Sequence, residues 1–130
     1  MPDSEKITIN MNAVDLGKVD LLVQEGIYSN RTDFIRTAIR SQLEKHNFEI
    51  QQSVTRHSTV VGALVYDRKD FEKRKADGVK LTITVVGLLH LDNDIPIDLA
   101  LETIESIKVH GVFNVSPELK AALEEAKKLK

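Results

Sequence analysis

The sequence predicts an α+β fold in two parts: a strand and two helices at the N-terminus, then a small α/β domain. Three observations carry this. Residues 6–12 alternate between apolar and polar, residues 13–48 hold two successive helical stripes, and beyond residue 57 three glycine-marked apolar stretches recur at a nearly fixed interval. A chain of 130 residues has the length of one ordinary domain or two small ones, which makes a large catalytic cleft an unexpected feature.

From Lys6 to Asn12, Ile7, Ile9 and Met11 are apolar while Lys6, Thr8, Asn10 and Asn12 are polar, the period of a strand with one buried face. Asn12 then offers an N-cap with Asp15 in the first turn. Leu16, Val19, Leu22 and Val23 fall on one helical face until Gly26 ends it, so a first helix is expected over about 13–25. Asn30 offers a second cap, with Asp33 at the third helical position. Phe34, Ile35, Ala38, Ile39, Gln42 and Leu43 follow as a nearly heptad-like stripe, expected to run to about residue 48. An isolated strand leaves backbone groups unpaired along both edges. With no second strand before residue 57, the expected partner is the same segment of another copy, antiparallel about a two-fold axis, which makes the N-terminal part an intertwined homodimer.

The polar stretch 49–57, containing Gln51-Gln52-Ser53, reads as a helix tail or linker between a domain at 1–48 and another at 58–130. In the latter, Val60 to Tyr66, Val85 to Leu91 and Val109 to Val115 each carry a glycine, at Gly62, Gly87 and Gly111, spaced 25 and 24 residues apart. Two architectures fit: a short strand-helix solenoid, or a small α/β sheet whose strands begin at the glycines. Asp70, Glu72, Lys73, Arg74 and Lys75, stopped by Asp77-Gly78, read as a solvated helix. Pro117 to Lys130 puts Leu119, Ala122, Leu123 and Ala126 on one face, suited to docking on the sheet or on a dimer mate. So small a domain buries little surface alone, so the expectation is assembly with another copy, to a tetramer or higher, with ligand sensing as the other role.

Eighteen Lys+Arg against 20 Asp+Glu give a formal charge of -2, which argues against polyanion binding driven by bulk charge. Residues 1–48 hold six basic and seven acidic residues, so nucleic-acid contacts have to be local. Cysteine is absent, which removes disulfides, thiolate nucleophiles and sulfur-ligated metal sites. No apolar run approaches the ~20 residues of a membrane helix, and Met1-Pro2-Asp3-Ser4-Glu5 has no signal-peptide features. A soluble, cytoplasmic protein without membrane contact is expected.

The strand Lys6-Ile7-Thr8-Ile9-Asn10-Met11, a helix of fitting length, and above all Gly26-Ile27-Tyr28-Ser29-Asn30-Arg31-Thr32-Asp33-Phe34-Ile35-Arg36 resemble the ribbon-helix-helix DNA-binding proteins of the MetJ/Arc superfamily, in particular the CopG-like branch. The resemblance covers residues 6–45 and does not extend to 58–130. It implies an antiparallel ribbon of two strands lying in the major groove, reading base edges with alternate outward side chains, which by position are Lys6, Thr8 and Asn10. Their chemistry suits the task. Lys donates to guanine O6/N7, Asn pairs bidentately with adenine N6/N7, and Thr offers a hydroxyl and a methyl to thymine. The N-terminus of the second helix presents free N–H groups at its positive dipole end, around Asn30 and Arg31, where a phosphate can be clamped, and Ser29 can add its hydroxyl. Ser29 and Asn30 can cap the same helix, since capping uses side chains and phosphate binding uses backbone donors. Such contacts position a ribbon and do not specify sequence. Tyr28 and Phe34 read as core residues, and Arg36 and Arg40 as solvated, with a phosphate contact open to either.

His46, His57, His90 and His110 show no spacing that places two metal ligands on one face. Val65-Tyr66-Asp67 and Leu89-His90-Leu91-Asp92 faintly resemble strands of the sensor domain in nickel-responsive regulators, but that domain's histidine cluster and cysteine ligand have no counterpart here. Asp92-Asn93-Asp94 lacks the remaining ligands of a calcium loop and reads as a turn. No metal, cofactor or catalytic constellation is expected. The expectation is a DNA-binding transcriptional regulator acting on a double-stranded operator, most simply a repressor, homodimeric through its ribbon and not an enzyme. Two alternatives are an antitoxin whose C-terminal segment wraps a toxin, and an architectural protein whose main task is oligomerisation.

Overall fold

The computed structural model describes residues 4–130. Its elements are α1 (Ala13–Gln24), α2 (Arg31–Lys45), α3 (Asn47–Arg56), β1 (Val60–Tyr66), α4 (Arg68–Ala76), β2 (Leu81–Leu91), α5 (Ile97–Thr103), β3 (Ile104–Asn114) and α6 (Pro117–Glu125). The chain divides into two compact units, one of Lys6–Gln52 and one that contains Ser53–Lys130. Among the described residues no helix is long and apolar enough to cross a membrane.

In the first unit both helices begin where their caps predict. Asn12 Oδ1 accepts from the Asp15 N–H at 2.8 Å and Asn30 Oδ1 from the Asp33 N–H at 2.7 Å. Gly26, at φ +79°, turns the chain out of α1, and the Ile27 N–H donates back to the Leu22 carbonyl, a left-handed stop that glycine makes without steric cost. The second helix is shorter than its stripe implies. It ends at Lys45, His46 leaves helical geometry, and a separate helix α3 follows. The stretch 49–57 is accordingly helical as far as Arg56; it is polar but holds neither Gly nor Pro, so nothing in it breaks a helix. Residues 4–12 carry no regular secondary structure in the single chain, where no neighbouring strand supplies the ladder that defines one.

The second unit is a three-stranded parallel sheet in the order β1-β2-β3, joined by the crossovers α4 and α5 that parallel neighbours require. Leu81, Ile83, Val85, Leu89 and Leu91 of β2 meet Phe71 of α4, Leu99 and Ala100 of α5 and Leu119 and Leu123 of α6 in one buried cluster. The side chains between them in sequence, Val86 and His90, with Val61 and Val65 of β1 and His110 of β3, point to the other face and stay exposed or half-buried. Helices α4, α5 and α6 therefore share one face of the sheet, while on the other face Leu88 is buried as well. A reciprocal capping box starts α4, with Asp67 accepting from the Asp70 N–H and Asp70 from the Asp67 N–H. The helix there is solvated as expected except at Phe71, which is fully buried. Residues 128–130 lie beside β3, where the Ile107 N–H donates to the Lys128 carbonyl and the Lys130 N–H to the Ile107 carbonyl.

The glycines do not begin the strands, as the sheet reading of the sequence had them do. Gly62, Gly87 and Gly111 lie inside β1, β2 and β3 and face one another in register, at φ +132°, +135° and +130°. The reason is local. A Cβ on Gly87 would collide with the Gly62 carbonyl oxygen, and one on Gly111 with the Gly87 carbonyl oxygen, so the close strand approach tolerates hydrogen alone.

Candidate nucleic-acid interface

The segment expected to read bases lies fully at the surface. Lys6, Thr8 and Asn10 are exposed, and so are the intervening apolar residues, Ile7 at 73% and Ile9 at 58%. Val14, Leu21, Ile27, Ile39 and Leu43 are exposed too, and Val19 is the one buried hydrophobic residue of the Lys6–Gln52 unit among those described. A single copy thus leaves the apolar side of this unit uncovered. Tyr28 and Phe34 pack edge to face with ring centres 5.1 Å apart, an arrangement that uses both rings on each other.

At the start of α2 the three residues expected to meet a phosphate are brought together, and each already has a protein partner. The Ser29 N–H and hydroxyl both donate to Asp33 Oδ2, at 3.0 and 3.1 Å. Asn30 caps through its side chain. Arg31 donates from Nε and Nη2 to the two carboxylate oxygens of Asp20 on α1, at 2.7 and 2.8 Å. This bidentate pair ties α1 to α2 and gives the guanidinium a fixed direction. The hydrogen bonds from Arg31 hold the Asp20 carboxyl below its ordinary value, and Asp20 in turn raises Arg31. The backbone N–H groups of Arg31 and Thr32 have no acceptor within the helix, as at any helix start, so they stay available to an anion.

Asp20 is the neighbour of the candidate site that sequence reading missed. It stands eleven residues before Arg31, across a turn whose path no periodicity reveals. Away from this unit, His90 Nδ1 and Thr103 Oγ1 are buried without a hydrogen-bond partner. Among the described residues no three His, Cys, Asp or Glu side chains converge as a metal-binding group would. The Asp92-Asn93-Asp94 stretch is a turn, with the Asp94 carboxylate accepting from the Arg68 N–H at 3.1 Å.

A family model described as the Ribbon-Helix-Helix transcriptional regulator family matches residues 2–120 of the chain. No curated protein and no solved structure matches it.

Proposed function

The chain belongs to the Ribbon-Helix-Helix transcriptional regulator family, and from that premise we propose a sequence-specific DNA-binding repressor that reads the major groove with an antiparallel ribbon formed by two chains. Residues 6–11 of each copy pair with those of the other. Ile7, Ile9 and Met11 then turn to the shared core, and Lys6, Thr8 and Asn10 turn to the base edges. The observation that carries the reading is the uncovered apolar set of the N-terminal unit. Ile7, Ile9, Val14, Leu21, Ile39 and Leu43 are all exposed in one copy, and exposed apolar surface of this kind marks an interaction site where it is contiguous. A second copy about a two-fold axis covers it and supplies the missing ladder.

The ribbon is positioned by phosphates rather than by net charge. The Arg31 and Thr32 N–H groups clamp one backbone phosphate per chain, helped by the Arg31 donors that Asp20 does not use and by the Ser29 hydroxyl, which exchanges Asp33 for the phosphate on binding. The proposal assigns the protein no reaction. The antitoxin alternative is disfavoured because toxin-wrapping segments are commonly disordered until bound, whereas the C-terminal half here has its own buried core. The test is to select bound fragments from random duplex DNA. The expected result is a two-fold related site with half-sites set by the ribbon dimer. Recovery of no preferred sequence would overturn base reading.

A further inference from the structure

The two outer edges of the C-terminal sheet are different, and they match each other. Inside the sheet, the hydrogen that replaces Cβ on Gly87 faces the Gly62 carbonyl oxygen, and that on Gly111 faces the Gly87 carbonyl oxygen. Each strand thus receives the glycine carbonyl of the strand before it. Gly62 has the same backbone conformation, but nothing lies within 4 Å of its Cβ position. On β1, the receiving position is open to solvent. By the same repeat, the Gly111 carbonyl on β3 is directed outward with no strand beyond it.

The side chains and the ends of the strands match as well. β1, Val60 to Tyr66, holds no charged residue, although an exposed edge strand ordinarily carries one as protection against pairing. Val61 and Val65 are 61% and 60% exposed. On the β3 side, Leu129 pairs with Ile107, so residues 128–130 cover this edge only at its start and leave it open from Val109 onward. Val109 is the residue that stands in register with Val85 and, through it, with Val60, the first residue of β1. A groove of about 130 Å³ runs along this open stretch between Ile107, Val109, Gly111, Phe113 and Leu129.

From these observations we infer that β1 of one copy docks on β3 of a second copy, parallel and in register, with the Gly111 carbonyl of one seated against Gly62 of the other. The contact continues the interface that β1 makes with β2, and β2 with β3, inside each chain. It sets Val60 beside Val109, Val61 beside His110, Leu64 beside Phe113 and Val65 beside Asn114. Val60 and Leu64 enter the groove. Because the contact joins two different edges, it is head-to-tail: it propagates or closes a ring and does not stop at a two-fold pair. This inference does not depend on base reading by the ribbon, since it concerns residues 60–66 and 109–114 alone.

The full chain is tested by sedimentation and light scattering over a range of concentrations, without DNA. The expected result is a mass above the dimer that grows with concentration. Val61→Lys should weaken that growth about tenfold or more, by giving the edge strand the charge that ordinarily blocks strand pairing. Adding His110→Glu to the same chain should restore it, because the two positions face each other only between copies. Val65→Lys with Asn114→Glu repeats the test two registers on, and circular dichroism confirms that each variant folds. A mass fixed at the dimer at all concentrations would overturn the inference. So would loss without rescue in both pairs of folded variants, which would point to pairing of β1 with β1 instead.

Discussion

Asn10 and Asp20 stand for the two kinds of work proposed for single side chains at the N-terminus. In the proposed ribbon Asn10 is the best adenine reader, so Asn10→Ala should cost roughly 1–3 kcal/mol of specific affinity per half-site while leaving fold and dimer intact. Titration of the selected site against a scrambled one measures it, and an unchanged ratio removes Asn10 from base reading. Asp20 works in the opposite sense, because its carboxylate holds two of the Arg31 donors. Asp20→Asn should free the guanidinium for phosphate and steepen the salt dependence of binding by about one counterion per chain. The same pair has a pH signature. Since Arg31 lowers the Asp20 carboxyl, its contribution is complete above the unfolded carboxyl value and is lost as pH falls through the lower folded value. Thermal unfolding of the native chain and of Asp20→Asn should therefore differ at neutral pH and converge in acid. A constant gap down to strongly acidic pH would mean that the pair does not couple to folding. Of these residues, Asn10 is legible in sequence only as an expectation: alternation assigns it to the outer side of a strand, and residues 4–12 carry no strand in the single chain. Asp20 is not, because its role depends on how α1 and α2 cross.

At the scale of elements, the caps were readable and the lengths were not. Asn12, Asn30 and Gly26 announce their helix ends through side-chain and backbone chemistry that acts within three or four residues. The end of α2 at Lys45 is not marked by any Gly or Pro after its apolar stripe, and the helicity of 47–56 is hidden by polar composition. The three glycines are the sharpest case. Their spacing marks a repeat, yet a sequence cannot tell a glycine that opens a strand from one that lets two strands approach. Their consequences differ in a testable way. Gly87→Ala sets a Cβ against the backbone of β1 and should cost about 4 kcal/mol or more, enough to unfold the sheet. Gly62→Ala meets no atom within its own chain and bears only the strain of its positive φ, roughly 1–3 kcal/mol. Urea unfolding at low protein concentration separates the two, and equal losses would contradict the carbonyl-into-glycine geometry. Thr103 gives the converse case. Its hydroxyl is buried at the end of α5 without a partner, so Thr103→Val should stabilise the unit by about 1 kcal/mol, read in the same experiment.

At the scale of the whole molecule, the question is how a chain with a net charge of -2 holds a polyanion. A ribbon dimer with slightly more acidic than basic groups has little nonspecific attraction to draw on, so its residence on a single operator depends on a few directed contacts. Linking dimers changes this. If each chain offers one docking edge and one receiving edge in its C-terminal sheet, a ribbon dimer carries two of each, and neighbouring dimers on adjacent operators can be joined. The second dimer then binds at an effective concentration set by the connection between domains, which raises affinity for paired sites by about 10²-fold or more without any new DNA contact. The effect requires that the ribbon and the sheet edge choose different partners; if both joined the same two chains, nothing would be gained on paired sites. Full-length protein should therefore prefer tandem over single operators, and the preference should vary with the helical phase of the spacer. Val61→Lys, which leaves the N-terminal unit untouched, should keep single-site affinity and lose the tandem advantage, and His110→Glu added to it should recover both the assembly and the preference. Equal affinity for single and tandem sites in the native chain would show that the sheet edges, even if they pair, do not link dimers on DNA.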